Sequence, residues 1–415
     1  MAMETTGCLV VGGGPAGMML GLLLARAGVH VTVLEKHADF FRDFRGDTVH
    51  ASTIRLIDEL GLGEEFRRLP QSRMSSVAFP VPGGPPVTVG NFDSLPPPYN
   101  YIAMMPQWDF LNFLADAAAQ EPSFSLRMGH TATGLVRHDG KVAGIRYRTA
   151  EGFDGGIRAD LVIATDGRHS VLRRAAGLVS KEYSVPFDAW WFRLPRHPSE
   201  VGAVAGIVPA FGRGEALIAL TRTDYYQMGY LAPKGTDARI RAEGIGRFRG
   251  RVAALRPDLA DRVDAITSVD DLHWLDVRLD RLRQWHIDGL LCIGDAAHAM
   301  SPAGGVGINL AIQDAVAAAD CLAPALLRGQ VPRSGLARVQ RRRQLPTAVV
   351  QAVQRVMHRV VFGPIMTGTR AGAPAVLLFV ARHVPAFGRV LPRFVAFGPR
   401  PEHAPAFARR APQAP

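Results

Sequence analysis

The residues best able to do chemistry in this chain are a few glycines and acids placed far apart. Gly12-Gly13-Gly14-Pro15-Ala16-Gly17 is a G-x-G-x-x-G. Glycines at this spacing allow a tight turn and let backbone N–H groups approach a pyrophosphate at a helix N-terminus. Glu35, at the end of the next apolar run, stands where a carboxylate accepts from a ribose hydroxyl, and Lys36 follows it. Much later, residues 289–315 read GLLCIGDAAHAMSPAGGVGINLAIQDA. Gly294-Asp295 forms a turn there, and Gly304, Gly305 and Gly307 open a loop that runs into a helix. Backbone donors and the positive end of a helix dipole suit an electron-rich ligand. Asp166-Gly167, with Ser170 and Arg173 downstream, is a third such element.

These residues need particular elements to place them. An apolar run over 6–11 reads as a strand, 16–27 as a helix stopped by Gly28, and 29–34 as a second strand ending in Glu35. Strand, glycine turn, helix, strand and acid together make the dinucleotide fingerprint specific, where the glycines alone would be weak. Gly244 to Gly250 is also glycine-rich, but no strand precedes it in a stretch that reads as helical, so it is given no function. Residues 290–293 are a buried strand before the Gly294-Asp295 turn, with a helix from about Gly307. Between 183 and 271, four apolar or alternating runs (187–194, 204–208, 215–221, 225–231) imply one antiparallel sheet. Trp190 or Trp191, Phe192, Tyr225 or Tyr226, and Met228 are candidates for an aromatic roof over a ligand, although each alone reads equally as core.

Composition limits the rest. The chain has 415 residues, 47% hydrophobic, enough for two or three cores. No segment reads as a signal peptide, and the longest late apolar run, 373–397, is broken by Arg382, His383, Arg389 and Arg393, against a membrane span. Three cysteines, Cys8, Cys292 and Cys321, imply a reduced, cytoplasmic protein. The net charge of +11 is concentrated: from Arg328 onward there are fifteen arginines and one acid, Glu402, a balance of +14. No nucleic-acid motif accompanies it. An acidic membrane surface or partner touching this region peripherally is one reading; a solvated arginine face, including Arg341-Arg342-Arg343, is preferred. A helix is expected to start at Pro346-Thr347, with Val349, Val353, Val356, Met357 and Val360 on one face at the domain junction.

Gly12 to Gly17, the Asp166-Gly167-x-x-Ser170-x-x-Arg173 element and Gly294-Asp295 with Ala296, His298, Pro302, Gly304, Gly305, Gly307 and Asn309 occur in the order found in the p-hydroxybenzoate hydroxylase-like family of single-component FAD monooxygenases. The chain resembles that family from Thr6 to about Leu326. The resemblance implies an α/β fold: a Rossmann-type FAD-binding domain (1–75, 100–182 and 275–326), an inserted, mainly antiparallel β-sheet substrate domain (76–99 and 183–274), and a basic C-terminal helical region (327–415). It implies that Asp295 binds a ribityl hydroxyl of FAD, that Asp166 lies near the pyrophosphate, and that Arg45 and Gln107 contact the cofactor. Gly294, Gly304, Gly305, Val306, Gly307, Ile308 and Asn309 would border the flavin. A second nucleotide fingerprint is missing, so NAD(P)H would dock transiently.

The implied activity is a monooxygenase in which NAD(P)H reduces FAD and O2 gives a flavin C4a-hydroperoxide. It would hydroxylate, or less often epoxidise or ring-expand, an apolar, aromatic or polyketide-like small molecule. Pro302 would lie at the reacting edge, and His50 or Tyr226 would act as base toward a phenol. For Arg45 and His50 the residues alone fit a surface salt link and a helix-approach position as well as these roles. No metal site is read, and no oligomeric state follows. Two alternatives stay open: an FAD-dependent reductase or dehydrogenase on the same scaffold, and a non-catalytic binder.

Overall fold

The computed structural model describes residues 3–41, 48–81, 84–200 and 205–411. Arg45 therefore lies outside the described residues. Two large sheets organise the chain. The first runs, in spatial order, His286–Ile287, Leu290–Cys292, Asp154–Ala164, Glu4–Val11, Val31–Leu34 and Phe124–Arg127. Its central pairs are parallel, and the inner strands are fully buried at Val31–Leu34 and Leu290–Cys292. Continuous apolar runs are what a parallel sheet covered on both faces requires. The helices Pro15–Arg26 and Gly307–Leu326 pack together against it in one core. Gly294 sits between them: a Cβ there would be 3.2 Å from Ala311 and 3.3 Å from Ala16.

The second sheet has nine strands, in the order His273–Leu275, Phe187–Pro195, Tyr225–Pro233, Ala216–Thr221, Ala205–Phe211, Ser72–Val81, Ile102–Met104 and Thr48–Val49, with Gly84–Asn91 paired to Ser72–Val81. The four runs read as an antiparallel sheet all belong to it. It also draws in Thr48–Val49 and Ile102–Met104, pairs too short to announce themselves by alternation. One face is covered by the helix Asp237–Leu255 and the turn Pro257–Ala265, with Trp190, Phe192, Met228 and Tyr230 packed on Ile240, Phe248 and Val252. The Gly244 decoy is a kink in that helix, at φ 78°.

The C-terminal region is helical, in segments Arg333–Met357, His358–Phe362 (a π turn), Gly363–Met366, Ala375–His383 and Pro385–Phe397. The first does not begin at Pro346 but carries it inside. The interrupted turn is held by ion pairs of Arg342 to Asp320 and Glu402, and of Arg343 to Asp314 and Glu402. This corrects the solvated-face reading of Arg341-Arg342-Arg343: Arg341 is exposed, but Arg343 is 0% exposed. Among the described residues, no helix is long and apolar enough to cross a membrane.

Candidate functional site

A single cavity of about 870 Å³ runs from the glycine turn at Gly12 between the two sheets to the C-terminal helices. At the first end, Gly12 adopts φ 113° and its N–H donates to the Leu34 carbonyl at 2.7 Å. Gly17 lies so close behind it that a Cβ would be 1.9 Å from the Gly12 oxygen, whereas a Cβ on Gly14 would meet nothing within 4 Å. One glycine thus serves packing and the other leaves space in the cavity. The helix Pro15–Arg26 starts with no side-chain cap and no acid in its first turn, which leaves its N-terminus suited to an anion. The Glu35 carboxylate accepts from the Gly13 N–H at 2.9 Å and from the His37 N–H at 3.1 Å, shaping the turn it borders.

Asp166 does two things at once. Its Oδ2 accepts from the N–H groups of Val171 and Leu172 at 2.8 and 3.2 Å, capping the short helix Val171–Ala175. Its Oδ1 is buried at the cavity wall without a partner among the described residues, and burial raises its pKa. Unpaired buried oxygens are costly, and this one is free to accept a hydrogen bond from a donor in the cavity. Arg173 does not reach the cavity: it bonds the Arg168 and Ala296 carbonyls and pairs with Asp280 at 3.5 Å, tying this element to the Asp295 turn.

Asp295 lines the cavity with its side chain 35% exposed and Arg168 at 3.6 Å. Behind it the turn is anchored by fully buried Asp314, which accepts from the Gly294 N–H at 3.1 Å, from His298 Nε2 at 2.5 Å and from Arg343 Nε at 3.0 Å. Burial alone would raise the Asp314 pKa, but His298 and Arg343 overcome it and hold the carboxyl below its ordinary value. In the following loop, Gly304 and Gly305 take φ 87° and 64°, a region L side chains avoid. Thr48 donates to the Gly305 carbonyl at 3.1 Å. Gln354 holds the loop from the far side through Ser301 and Ala303. The helix Gly307–Leu326 begins here uncapped, with no acid in its first turn, so its positive end is open to developing negative charge.

His50, at the N-cap of Ala51–Glu59, lines the cavity. Its Nδ1 lies 2.8 Å from the Val395 carbonyl, an acceptor only, so Nδ1 carries the proton and Nε2 the lone pair. That Nε2 is buried without a partner among the described residues. Burial lowers the His50 pKa to about 4, against the opposing hydrogen bond to Val395, so the ring is neutral near pH 7. The second unpartnered polar atom here is the indole Nε1 of Trp191. Its ring fits because position 229 opposite is glycine, where a Cβ would sit 3.0 Å from the indole.

Of the expected cofactor residues, Gly12, Gly14, Pro15, Ala16, Glu35, Lys36, Gln107, Asp166, Asp295, Gly304, Gly305, Val306, Gly307 and Ile308 line the cavity, as does Pro302. Gly17, Gly294 and Asn309 do not. The two glycines serve close packing, and the Asn309 side chain accepts from the His50 N–H and the Thr53 hydroxyl, positioning His50. Tyr226 requires correction: it shares strand parity with Met228 and Tyr230, packs among the residues facing the helix Asp237–Leu255, and lies under Arg196. The same parity removes Trp190, Phe192 and Met228 from the roof and leaves Trp191, with Phe187, Ile218, Leu220 and Leu231. Sequence reasoning missed Gln354 and the wall built by Leu377, Phe387, Leu391 and Phe394. The apolar run 373–397, broken by arginines against a membrane span, is the sequence signal for that wall.

The family model described as "FAD binding domain" matches residues 5–354. A 6-methylpretetramide 4-monooxygenase of Streptomyces rimosus is 34% identical over 401 residues, covering 95% of this chain and 92% of the relative. A rifampicin monooxygenase of Streptomyces venezuelae is 28% identical over 327 residues, 74% of this chain and 62% of that protein. The crystal structure of p-nitrophenol 4-monooxygenase from Pseudomonas putida superposes with a TM-score of 0.73 at 21% identity, covering 96% of this chain and 100% of that one, a likeness of fold.

Proposed function

The chain belongs to the FAD-binding-domain family of flavoprotein monooxygenases, and from that premise we propose that it oxygenates an apolar aromatic or polyketide-like molecule held between His50 and Trp191. It is an enzyme that uses FAD and NAD(P)H. The residues fit the cofactor: Gly14 leaves space where a dinucleotide passes, two uncapped helix ends point at it, and Asp166 offers an unpaired oxygen. Gly12, Gly14, Pro15, Ala16, Glu35 and Lys36 would hold the adenosine and pyrophosphate end. Asp166, Asp295 and Gln107 would hold the middle, and the loop 302–308 the ring; we keep Arg45 as a further contact. When bound and reduced by NAD(P)H, FAD supplies with O2 the oxygen atom that is transferred.

The observation that carries the substrate reading is the neutral His50, whose Nε2 has no partner among the described residues, in a largely apolar wall. A phenol has a pKa near 10 and His50 one of about 4, so full proton transfer is uphill by roughly 8 kcal/mol. His50 is therefore a hydrogen-bond acceptor that orients a hydroxyl, not the base first expected. Trp191 can donate to a carbonyl or hydroxyl elsewhere on the molecule. The apolar walls keep water from the reacting centre. Supporting the expected division of the chain, most strands of 1–75, 100–182 and 275–326 join the first sheet and those of 183–274 the second. Three unpaired cysteines support a reducing, cytoplasmic setting. The test is to purify the protein with FAD and screen aromatic and polyketide-like phenols for stimulated NAD(P)H oxidation with an added oxygen in the product mass. Activity retained in full by His50→Leu would sink the role given to His50.

A further inference from the structure

The cavity's outer wall is made of a stretch that is apolar and basic at once. From Ala375 to Phe397 the residues are only Ala, Val, Leu, Phe, Pro, Gly, Arg and His. Phe379 is 61% and Val390 64% exposed, and Val384 is also exposed. On the adjoining helix and π turn, Val353, Val356 and Val360 are exposed and also line the cavity, so one of its openings lies there. Exposed arginines are interleaved with them: Arg359, Arg370, Arg382, Arg389 and Arg393. None pairs with a carboxylate among the described residues. The single acid beyond Arg328, Glu402, is 5% exposed and is taken by Arg342 and Arg343. This face therefore offers cations and hydrocarbon and almost nothing else.

We propose that the surface formed by Ala375–His383, Pro385–Phe397 and the Val353–Val360 edge docks on an anionic lipid bilayer, with the cavity opening at Val353–Val360 turned toward it. Interfacial helices combine these two ingredients: aliphatic and aromatic side chains enter the acyl boundary while arginines meet acidic headgroups. Each arginine near such a surface adds to the attraction, and the attraction is screened by salt. A protein partner normally supplies and receives hydrogen bonds across its contact, and the stretch 375–397 has no side-chain acceptor to answer one except the imidazole of His383. Since no described helix can span a membrane, the contact is peripheral. Docking stands apart from the oxygenase reading; its consequence, that an apolar substrate enters from the bilayer without crossing water, rests on that reading.

Sedimentation of the purified, full-length protein with vesicles tests this, using phosphatidylcholine alone and phosphatidylcholine with added phosphatidylglycerol. The expected result is partitioning onto the anionic vesicles at least about tenfold stronger than onto neutral ones, reversed by salt. Arg382→Glu/Arg389→Glu and Phe379→Ser/Val390→Ser should each lower it about tenfold or more, with bound FAD unchanged. Equal partitioning onto both vesicles, no partitioning, or double variants that bind as well as the parent would overturn the proposal. So would capture by an acidic carrier protein without vesicle binding. FAD absorbance on the same samples separates the two readings. Protein that sediments without FAD refutes the oxygenase reading alone; protein that holds FAD and stays in solution refutes this one alone.

Discussion

Gln354 holds Ser301 from both sides: its Nε2 donates to the Ser301 carbonyl at 2.9 Å while its Oε1 accepts from the Ser301 N–H at 3.2 Å. A further bond to the Ala303 carbonyl at 2.9 Å closes the clamp. The loop bearing Pro302 is thus fastened to a C-terminal helix by one buried amide.

Gln354→Leu strands these buried backbone groups. We expect a loss of about 2 kcal/mol or more in unfolding free energy and roughly tenfold weaker FAD binding. Chemical denaturation and flavin fluorescence titration read the two effects. FAD affinity equal to that of the parent would remove the loop from the cofactor site.

Gly17→Ala and Gly14→Ala should separate packing from binding. A methyl on Gly17 collides with the Gly12 oxygen, so thermal unfolding should drop by the equivalent of about 2 kcal/mol. The Gly14 methyl enters open space, leaving the apoprotein's unfolding within about 0.5 kcal/mol but obstructing the dinucleotide. Normal FAD binding by Gly14→Ala would show that this turn does not receive the cofactor.

Arg343→Met leaves Asp314 and Glu402 buried without their shared cation. The cost should be about 3–5 kcal/mol, the range for breaking a buried pair from one side. Because Asp314 has a depressed pKa in the folded state, the stability it contributes is present above its ordinary carboxylate value and is lost as pH falls through the folded one. The parent's acid-unfolding curve should therefore lose Arg343's part of this component in the variant, the part held by His298 remaining, as measured by circular dichroism at stepped pH.

His50 and His358 both have folded pKa values lowered by burial to about 4. The unfolded chain takes up these protons first, so each contributes stability that is intact above about 6.5 and drains away as pH falls toward 4. For His50 alone the full difference is on the order of 3 kcal/mol. His50→Leu should flatten that part of the stability profile. NMR titration of the His50 ring with a midpoint near 6.5 would contradict the buried, neutral imidazole.

Much of the cofactor half was legible because its spacing is dictated by backbone chemistry. A turn that admits a pyrophosphate needs glycine at Gly12, Gly14 and Gly17 whatever surrounds it. The substrate half was not, for two reasons. Alternation along Phe187–Pro195 says that Trp190 and Trp191 face opposite ways without saying which way is inward; the register against Gly229 decides it. And the polar clamps are made by residues distant in the chain, such as Gln354 on Ser301 and Glu402 on Arg343, where each residue alone reads as an ordinary surface group.

The hub at Asp314 has a temporal side. Gly294 and His298 precede Arg343 by some fifty residues and Glu402 by about a hundred, yet all four converge on one buried charge cluster. Until residue 402 has been made, the cluster behind the turn carrying Asp295 lacks one of its members. Loss of the segment around Glu402 would therefore leave Arg343 with fewer partners and loosen the buried support of the turn that carries Asp295, so a change remote in the chain would act directly beside the cavity.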